Sequence, residues 1–281
     1  MSAWRTASAV VIGSDHGRMG LPCQDRAVVR VVELQDALDR LVMVACDGAG
    51  SASHAELGAE VASQAAAAFL AAMAPITDTT DAGAAGASLL GRVRDALTVA
   101  AAEAGVPFKM LATTLLAVAV DRDHALAFQV GDGAIVLTTE REPRTSLAFW
   151  PVKGAHANET WFATSDNAFA QLQGARIDAT ALEVAVLTDG LEHLALDFAA
   201  KVPHAAFFGP FFAAVGELSP GDLAASAALS AELEAFLASP RVLAETGDDK
   251  TLLLAVRTRR DGASLPAEPS QDAPAETSTA V

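Results

Sequence analysis

Three aspartates in this sequence directly follow apolar runs, and a glycine comes after each of them. Asp47 follows LVMVAC, Asp132 follows LAFQVG and Asp189 follows VAVLT. A further acidic pair, which begins with Asp248, lies just before TLLLAV, and Asp25 lies just before the run AVVRVV. Carboxylate oxygens are the ligands that hard divalent cations such as Mg²⁺ and Mn²⁺ prefer. The repeated pattern therefore predicts a cation site that is built from strand ends.

Phosphoryl transfer is one chemistry that such a site supports, and the spacing alone does not name the reaction. Two cations about 4 Å apart hold and acidify a water, and they clamp the oxygens of a phosphoryl group during an in-line displacement. We expect the glycine after each aspartate to let the backbone turn sharply and to leave room for water or substrate. The alternative is a plain turn, because Asp-Gly is a common turn dipeptide. Several occurrences, each beside a buried-looking strand, favour the cation site.

Short runs rich in Val, Leu and Ile predict the strands that would position these acids. The predicted strands are 9–12, 27–32, 41–46, 113–120, 125–130, 134–138, 183–187 and 251–256. The fourth and fifth are joined by four residues, which indicates an antiparallel hairpin. Helices are predicted at 55–74, 87–104 and 222–238, whereas 190–216 is divided by two prolines and is left unassigned. Strands in hairpins with separate helices are typical of an α+β domain.

Length and composition predict one large domain with a short tail. The chain has 281 residues, of which 52% are hydrophobic, so a sizeable core can be buried. We assign residues 1–260 to the domain. Residues 261–281 contain Pro, Ala, Ser, Thr and acids but no Lys or Arg, which predicts a disordered acidic tail.

The net charge of −16 argues against a nucleic-acid partner, because such binding needs a basic patch. An acidic protein still binds phosphate esters when cations lie between the charges. Cys23 and Cys46 do not form a C-x-x-C pair and are expected to be reduced thiols. Uncharged stretches such as 61–77 lack the apolar density of a membrane span, and no signal peptide opens the chain. We therefore expect a cytoplasmic protein without a membrane partner, and a monomer.

Six segments, taken in order, resemble motifs of the metal-dependent protein phosphatase family, type 2C. They are GSDHGRMGLPCQDRAVV, VACDGAGSASHAELGAEVAS, ATTLLAVAV, FQVGDGAIVL, LTDGLEHL and GDDKTLLLAV. Each motif is weak alone, but six in the family's order at plausible separations are specific. The resemblance extends from residue 8 to residue 257.

The resemblance implies a binuclear Mg²⁺ or Mn²⁺ site. Asp47 would bridge two cations, and the carbonyl of Gly48 would bind one of them. Asp189 and Asp248 would complete the site. The implied reaction is hydrolysis of phosphoserine or phosphothreonine by a water that bridges the two cations, without a phosphoenzyme. The implied fold is a four-layer α-β-β-α sandwich, with two antiparallel sheets packed face to face and helices outside.

Further residues take supporting roles by the same resemblance. Asp25 would act on the metals through a water, and Asp132 matches a position that binds a third cation in bacterial members. Thr113 and Thr114 are expected to support the metal aspartates by hydrogen bonds. A phosphorylated protein is the implied substrate, and a serine/threonine kinase encoded nearby is the implied partner.

The sequence departs from the family on the side that grips the substrate phosphate. Bacterial relatives carry an Arg where this chain has Gly20, and Arg18 or Lys250 are the candidates to replace it. Ala49 stands where animal members carry a His that is a proposed general acid. These changes resemble a divergent bacterial branch with a G-x-x-H…P-C-Q-D opening.

Two further positions differ in this branch. Asp249 replaces the Asn that usually follows the last metal aspartate. His16 has two interpretations, a place near the substrate or a loop histidine without a role. The prediction is thus a Mg²⁺- or Mn²⁺-dependent serine/threonine phosphoprotein phosphatase. The alternatives are a pseudophosphatase that binds a phosphoprotein, and a small-molecule phosphoesterase.

Overall fold

The structure is a computed structural model, and it describes residues 4–34, 39–142, 144–151 and 160–258. The predicted tail at 261–281 lies outside the described residues. The strands are β1 (Trp4–Val11), β2 (Asp25–Glu33), β3 (Asp39–Asp47), β4 (Leu115–Val120), β5 (Ala125–Val130), β6 (Ala134–Thr139), β7 (Thr145–Leu147), β8 (Gln173–Ile177), β9 (Ala181–Leu187), β10 (Leu196–Asp197), β11 (Val202–Pro203) and β12 (Lys250–Arg257).

The strands form two five-stranded antiparallel sheets. The first has the order β1-β12-β9-β6-β7 and the second the order β2-β3-β4-β5-β8, while β10 and β11 form a separate pair. Each strand predicted from an apolar run is present, and the predicted hairpin is the β4–β5 pair. The prediction did not include β7 and β8, which are edge strands of half-buried residues.

The helices are α1 (Ser14–Met19), α2 (Ala55–Ala72), α3 (Ala82–Ala104), α4 (Ala168–Gln171), α5 (Glu192–Ala195), α6 (Ala205–Gly216), α7 (Leu223–Leu237) and α8 (Pro240–Leu243). Helix α3 begins five residues before its predicted start because Asp81 caps it, accepting hydrogen bonds from the N–H groups of Gly83 and Ala84. None of the helices in the part of the chain that the structure describes is long and apolar enough to cross a membrane.

The side chains of the two sheets alternate between two cores. On β3, Leu41, Met43 and Ala45 pack against the other sheet, whereas Val42 and Val44 pack against α2 and α3. A strand that is buried on both faces has a continuous apolar sequence, which is why these runs were easy to predict. The outer face of the first sheet packs on α6 and α7 through a cluster that includes Leu252, Leu254, Phe208, Phe212 and Leu233. The result is the predicted four-layer α-β-β-α sandwich.

Strand register brings the acidic residues to one end of the sandwich. In the β2–β3 pair Asp25 lies opposite Asp47. In the first sheet Leu252 lies opposite Leu187, so the start of β12 and the end of β9 are adjacent. Because β1 pairs antiparallel with β12, the segment that follows β1 reaches the same end.

Candidate metal and active site

A cavity of about 380 Å³ lies where these strand ends meet. Its wall contains four of the predicted metal residues, Asp47, Gly48, Asp189 and Asp248, together with His16. The rest of the wall consists of Ala49, Gly50, Ser51, Thr160 and Phe162. The other two predicted metal residues, Asp25 and Asp132, are buried and do not line the cavity.

Asp47 is held through its backbone, which leaves its carboxylate for the cavity. Its N–H donates to Thr114 Oγ1 at 2.9 Å, and its carbonyl accepts from Thr113 Oγ1 at 3.0 Å. The two threonines therefore support this aspartate, as predicted, through the main chain. Burial raises the pKa of Asp47 well above its ordinary value, and the neighbouring charges of Asp25 and Asp189 raise it further.

Asp189 and Asp248 stand at the ends of neighbouring strands. Asp189 begins a short 3₁₀ turn after β9, and Asp248 precedes β12. Burial raises the pKa of Asp189 well above its ordinary value, with additional repulsion from Asp132 and Asp248. Burial is also the largest cause of the raised pKa of Asp248. The cavity thus collects carboxylates that destabilise one another when all are ionised.

Asp25 is fully buried, and only one of its two carboxylate oxygens has hydrogen-bond partners. Its Oδ2 accepts hydrogen bonds from Thr188 Oγ1 at 2.8 Å and Thr251 Oγ1 at 2.7 Å. Its Oδ1 is buried and has no hydrogen-bond partner. Burial raises the pKa of Asp25 to about 7, against the two threonine hydrogen bonds, and the charges of Asp249 and Asp248 act in the same direction as burial. Neither threonine was predicted from the sequence to contact Asp25, although each is next to an acidic motif.

Asp132 has the same incomplete set of partners as Asp25. Thr160 Oγ1 donates to its Oδ2 at 2.5 Å, and its Oδ1 is buried without a partner. Gln129 fixes the turn that carries it, donating from Nε2 to the carbonyls of Gly131 at 3.1 Å and Gly133 at 2.9 Å. The turn is therefore rigid, while one carboxylate oxygen is left open.

The glycines that follow the aspartates act differently from the expectation. Gly48 and Gly190 do not have positive φ, so neither provides a sharp turn that only glycine can adopt. They permit close backbone contact instead. A Cβ on Gly190 would lie 1.9 Å from the carbonyl oxygen of Asp249, and one on Gly48 would lie 2.7 Å from that of Ala55. A side chain at either position would therefore collide with the backbone, while Gly48 itself lines the cavity.

The candidates for gripping a phosphate do not lie in the cavity wall. The guanidinium of Arg18 is 74% exposed and pairs with Asp15 at 2.5 Å. Lys250 is fully buried, and its Nζ donates to the carbonyl of Asp248 at 2.9 Å, so it is not in position to bind substrate. Gly20, where relatives carry an Arg, ends α1 with a φ of +69°, a conformation that favours glycine.

The donor set fits a hard divalent cation. All of the acidic groups offer oxygen, two of them have a buried oxygen without a partner, and their mutual repulsion is relieved by a positive charge. Within the described ranges, no three His, Cys, Asp or Glu side chains are arranged to hold one ion on their own.

His16 is fixed in the cavity wall by Asp249. Its Nδ1 lies 2.9 Å from Asp249 Oδ2, and its side chain is 12% exposed. The carboxylate of Asp249 also accepts from the N–H groups of Gly13 and Gln24, each at 2.6 Å. From the sequence, Asp249 was noted only as a replacement for Asn, and its pairing with His16 was not predicted. His16 lies beside the acidic cluster, as one of its two interpretations required.

Comparison with known proteins decides the family. The family model described as protein phosphatase 2C matches residues 12–238. This chain belongs to the protein phosphatase 2C family. It is also 31% identical over 254 residues to serine/threonine-protein phosphatase 3 of Escherichia coli (strain K12), covering 90% of this chain and 98% of that relative.

Solved structures agree with the fold of this type 2C phosphatase. The Mycobacterium tuberculosis serine/threonine phosphatase PstP/Ppp is 16% identical, with a TM-score of 0.55 over 91% of this chain and 99% of the other. The catalytic domain of PstP in complex with two manganese ions is 18% identical, with a TM-score of 0.52 and the same shares covered. The predicted family and fold are confirmed, and with the family the activity class of a metal-dependent serine/threonine phosphatase.

Proposed function

We propose that this type 2C phosphatase hydrolyses phosphoserine and phosphothreonine in proteins, at the cavity lined by Asp47, Asp189 and Asp248. The observation that carries the proposal is the convergence of these three carboxylates, from three strand ends, on one cavity. Burial and mutual repulsion raise the pKa values of all three. Titratable groups perturbed by burial and by specific charge partners in a cleft are typical of functional sites.

The roles that we propose for the residues are those that the family resemblance implies. When bound, divalent cations supply positive charge for the phosphoryl oxygens and acidify a water. Asp47, Asp189 and Asp248 would hold two such ions, with Asp47 between them and the Gly48 carbonyl as a further ligand. Asp25 would accept a hydrogen bond from a water on the ions through its free Oδ1, and Asp132 would offer its own free Oδ1 to a third ion.

Substrate binding would depend strongly on the cations. Gly20 has no side chain that can bind phosphate, and Arg18 is engaged with Asp15 outside the cavity wall. The phosphate would therefore be bound chiefly by the ions, next to the loop at 49–51. Arg18 stays a prediction, since it would first have to leave Asp15.

We also propose the substrates, the cellular location, the oligomeric state and the domain bounds of the protein. The family implies phosphoprotein substrates, and a cognate serine/threonine kinase would supply them. We place the protein in the cytoplasm as a monomer, with residues 1–260 as the catalytic domain and 261–281 as an acidic tail. The net charge of −16 supports the expectation that nucleic acid is not a partner.

The test is hydrolysis of phosphothreonine peptides with Mn²⁺, with and without a chelator. We expect chelation to abolish turnover, and Asp47→Asn and Asp189→Asn each to lower kcat by about 10²-fold or more, because the acidified water and the charge stabilisation depend on the ions. Asp95→Asn, on the exposed face of α3, is the matched control and should leave kcat unchanged.

Other outcomes identify the alternatives. Full activity in Asp47→Asn would show that the site is assigned wrongly. Phosphopeptide binding without turnover, and without cation binding at millimolar concentration, would indicate a pseudophosphatase. Peptides hydrolysed no faster than small phosphate esters would indicate a small-molecule phosphoesterase.

A further inference from the structure

We propose that His16 donates the proton that the leaving seryl or threonyl oxygen requires, and that Asp249 is the residue that positions it. This inference rests on the proposed phosphatase function. It concerns the leaving-group side of the reaction, which the carboxylates of the cavity do not serve.

The first support is the place of His16. It lies in the same cavity wall as Asp47, Asp189 and Asp248, so a group bound at the carboxylates would be next to its ring. The described wall contains one imidazole, and the other ionisable groups in it are the carboxylates assigned to the cations. An imidazole both gives and takes protons near neutral pH, which makes it the usual general acid in enzymes.

The second support is how firmly the ring is held. Asp249 is 2% exposed, and its two oxygens accept from His16 Nδ1 at 2.9 Å and from the N–H groups of Gly13 and Gln24 at 2.6 Å. The carboxylate thus holds both ends of the segment that carries α1, as well as the histidine within it. The fit is close, because a Cβ on Gly13 would lie 2.4 Å from the carbonyl carbon of Asp248.

The third support is that the adjacent residues Asp248 and Asp249 have different surroundings. Asp248 lines the cavity, whereas Asp249 lies behind His16 and outside the wall. A carboxylate that accepts from Nδ1–H fixes the tautomer and orientation of an imidazole, and it leaves Nε2 free to face a substrate. Asp249 therefore acts through His16 and is a positioning residue.

In the proposed step, a proton of His16 passes to the leaving oxygen of the substrate. The oxygen of the attacking water bonds to phosphorus, and the bond from phosphorus to the ester oxygen breaks. Its electron pair stays on the seryl or threonyl oxygen, which takes the proton from His16 Nε2 and leaves as the alcohol. A proton released by the attacking water restores His16. The products are the alcohol and inorganic phosphate, and no co-reactant besides water is needed.

The experiment compares two substrates that differ in their need for a proton. p-Nitrophenyl phosphate has a leaving group that is stable as an anion, whereas a phosphoserine peptide leaves as an alkoxide unless it is protonated. We expect His16→Gln to lower kcat on the peptide by about 10²- to 10⁴-fold, the usual contribution of general acid catalysis, and kcat on p-nitrophenyl phosphate by less than about tenfold. Asp249→Asn should show the same selectivity with a smaller loss.

Two controls separate catalysis from structure. His193→Gln, whose ring is 74% exposed outside the cavity wall, should leave both rates unchanged. In His16→Gly, added imidazole should raise the rate on the peptide, which restoring a structural contact would not do selectively. The Mn²⁺-induced rise in melting temperature should be the same in His16→Gln and the wild type.

Three outcomes would overturn the inference. Equal losses on both substrates would assign His16 to phosphate binding or to structure. Undiminished peptide hydrolysis in His16→Gln would remove it from the reaction. A wild-type protein inactive on both substrates with Mn²⁺ would overturn the proposed function itself, which distinguishes that failure from the other two.

Discussion

Two buried ionic groups in this molecule are built in opposite ways. The guanidinium of Arg40 is fully buried at the start of β3, and it donates from Nε and Nη2 to the two oxygens of Asp121 at 2.6 and 2.8 Å. Its other hydrogen bonds go to the carbonyls of Leu70, Met73 and Ala74. In the cavity, by contrast, carboxylates lie beside other carboxylates, and Asp25 and Asp132 each keep an oxygen without a partner.

The difference distinguishes buried charges that stabilise the folded chain from buried charges that repel one another. The Arg40–Asp121 pair connects β3, the end of α2 and the β4–β5 turn, and every partner belongs to the chain. A buried pair of this kind is costly to break, since the remaining charge stays enclosed. In the proposed function, divalent cations would stabilise the cavity cluster. The chain supplies every partner of the first group, whereas Asp25 and Asp132 in the second each keep an oxygen without a partner.

The largest expected effect contrasts the two groups directly. Asp121→Asn should lower the free energy of unfolding by about 3–5 kcal/mol, because Arg40 keeps its buried charge without a counter-ion. The loss should be the same with and without Mn²⁺. Chemical denaturation followed by circular dichroism measures it.

Asp47→Asn is the counterpart of Asp121→Asn in the cavity, because it also replaces a carboxylate by a neutral amide. It removes one charge from a repelling cluster, so the metal-free protein should be at least as stable as the wild type, while the stabilisation by Mn²⁺ should be lost. A large destabilisation of the metal-free Asp47→Asn protein, or a mild effect of Asp121→Asn, would contradict the comparison.

The next effect is the pH dependence of the metal-free protein. An unfolded aspartate ionises near pH 3.9, whereas burial raises the pKa of Asp25 to about 7. Between these values the folded chain holds a proton that the unfolded chain has lost, so this group's contribution to stability falls as pH rises. We expect the melting temperature in chelator to fall from pH 5.5 to pH 8, and Mn²⁺ to stabilise the protein more at pH 8.

Asp25→Asn is the control for this pH dependence. It cannot ionise, so the fall in melting temperature with pH should become shallower. A chelated wild-type protein whose stability is constant or rises over this range would show that the cluster does not repel itself as described.

The smallest expected effect concerns the two hydroxyl groups that donate hydrogen bonds to Asp25. Thr251→Val keeps the shape of the side chain and removes one of the two hydroxyl donors to Oδ2. A buried acceptor that loses a donor costs about 1–3 kcal/mol, so the metal-free protein should be destabilised by that amount at pH 8. Equilibrium denaturation measures the change. Thr98→Val, whose exposed hydroxyl bonds only within α3, serves as the control and should change stability much less.

The central strands and long helices were predictable because their side chains are buried with a clear period. The elements in 190–216 were not, since β10 and β11 have two residues each, Pro203 of β11 pairs with Leu196 of β10, and α6 contains Pro210. Edge strands β7 and β8 are half-buried and lack a continuous apolar run.

The site was predictable where one motif carries one role. Asp47 ends β3, Asp189 follows β9 and Asp248 precedes β12, and they converge because β9 pairs with β12 and the two sheets pack face to face. The His16–Asp249 contact joins residues 233 positions apart, and sequence does not tell which of two adjacent acids faces a cavity. The partners of Asp25 were missed for the same reason, since Thr188 and Thr251 belong to the other sheet and meet Asp25 only when the two sheets pack together.

The pairing of β1 with β12 also sets when activity can begin. Strand β1 is at the edge of its sheet and has β12 as its neighbour, from the opposite end of the described chain. During synthesis the first strand must wait for the last one, because domains fold as units as the chain emerges. Asp248 and Asp249 arrive with β12, and they bring one wall of the cavity and the residue that positions His16. A nascent chain therefore cannot remove phosphate from neighbouring proteins until its final strand has been made.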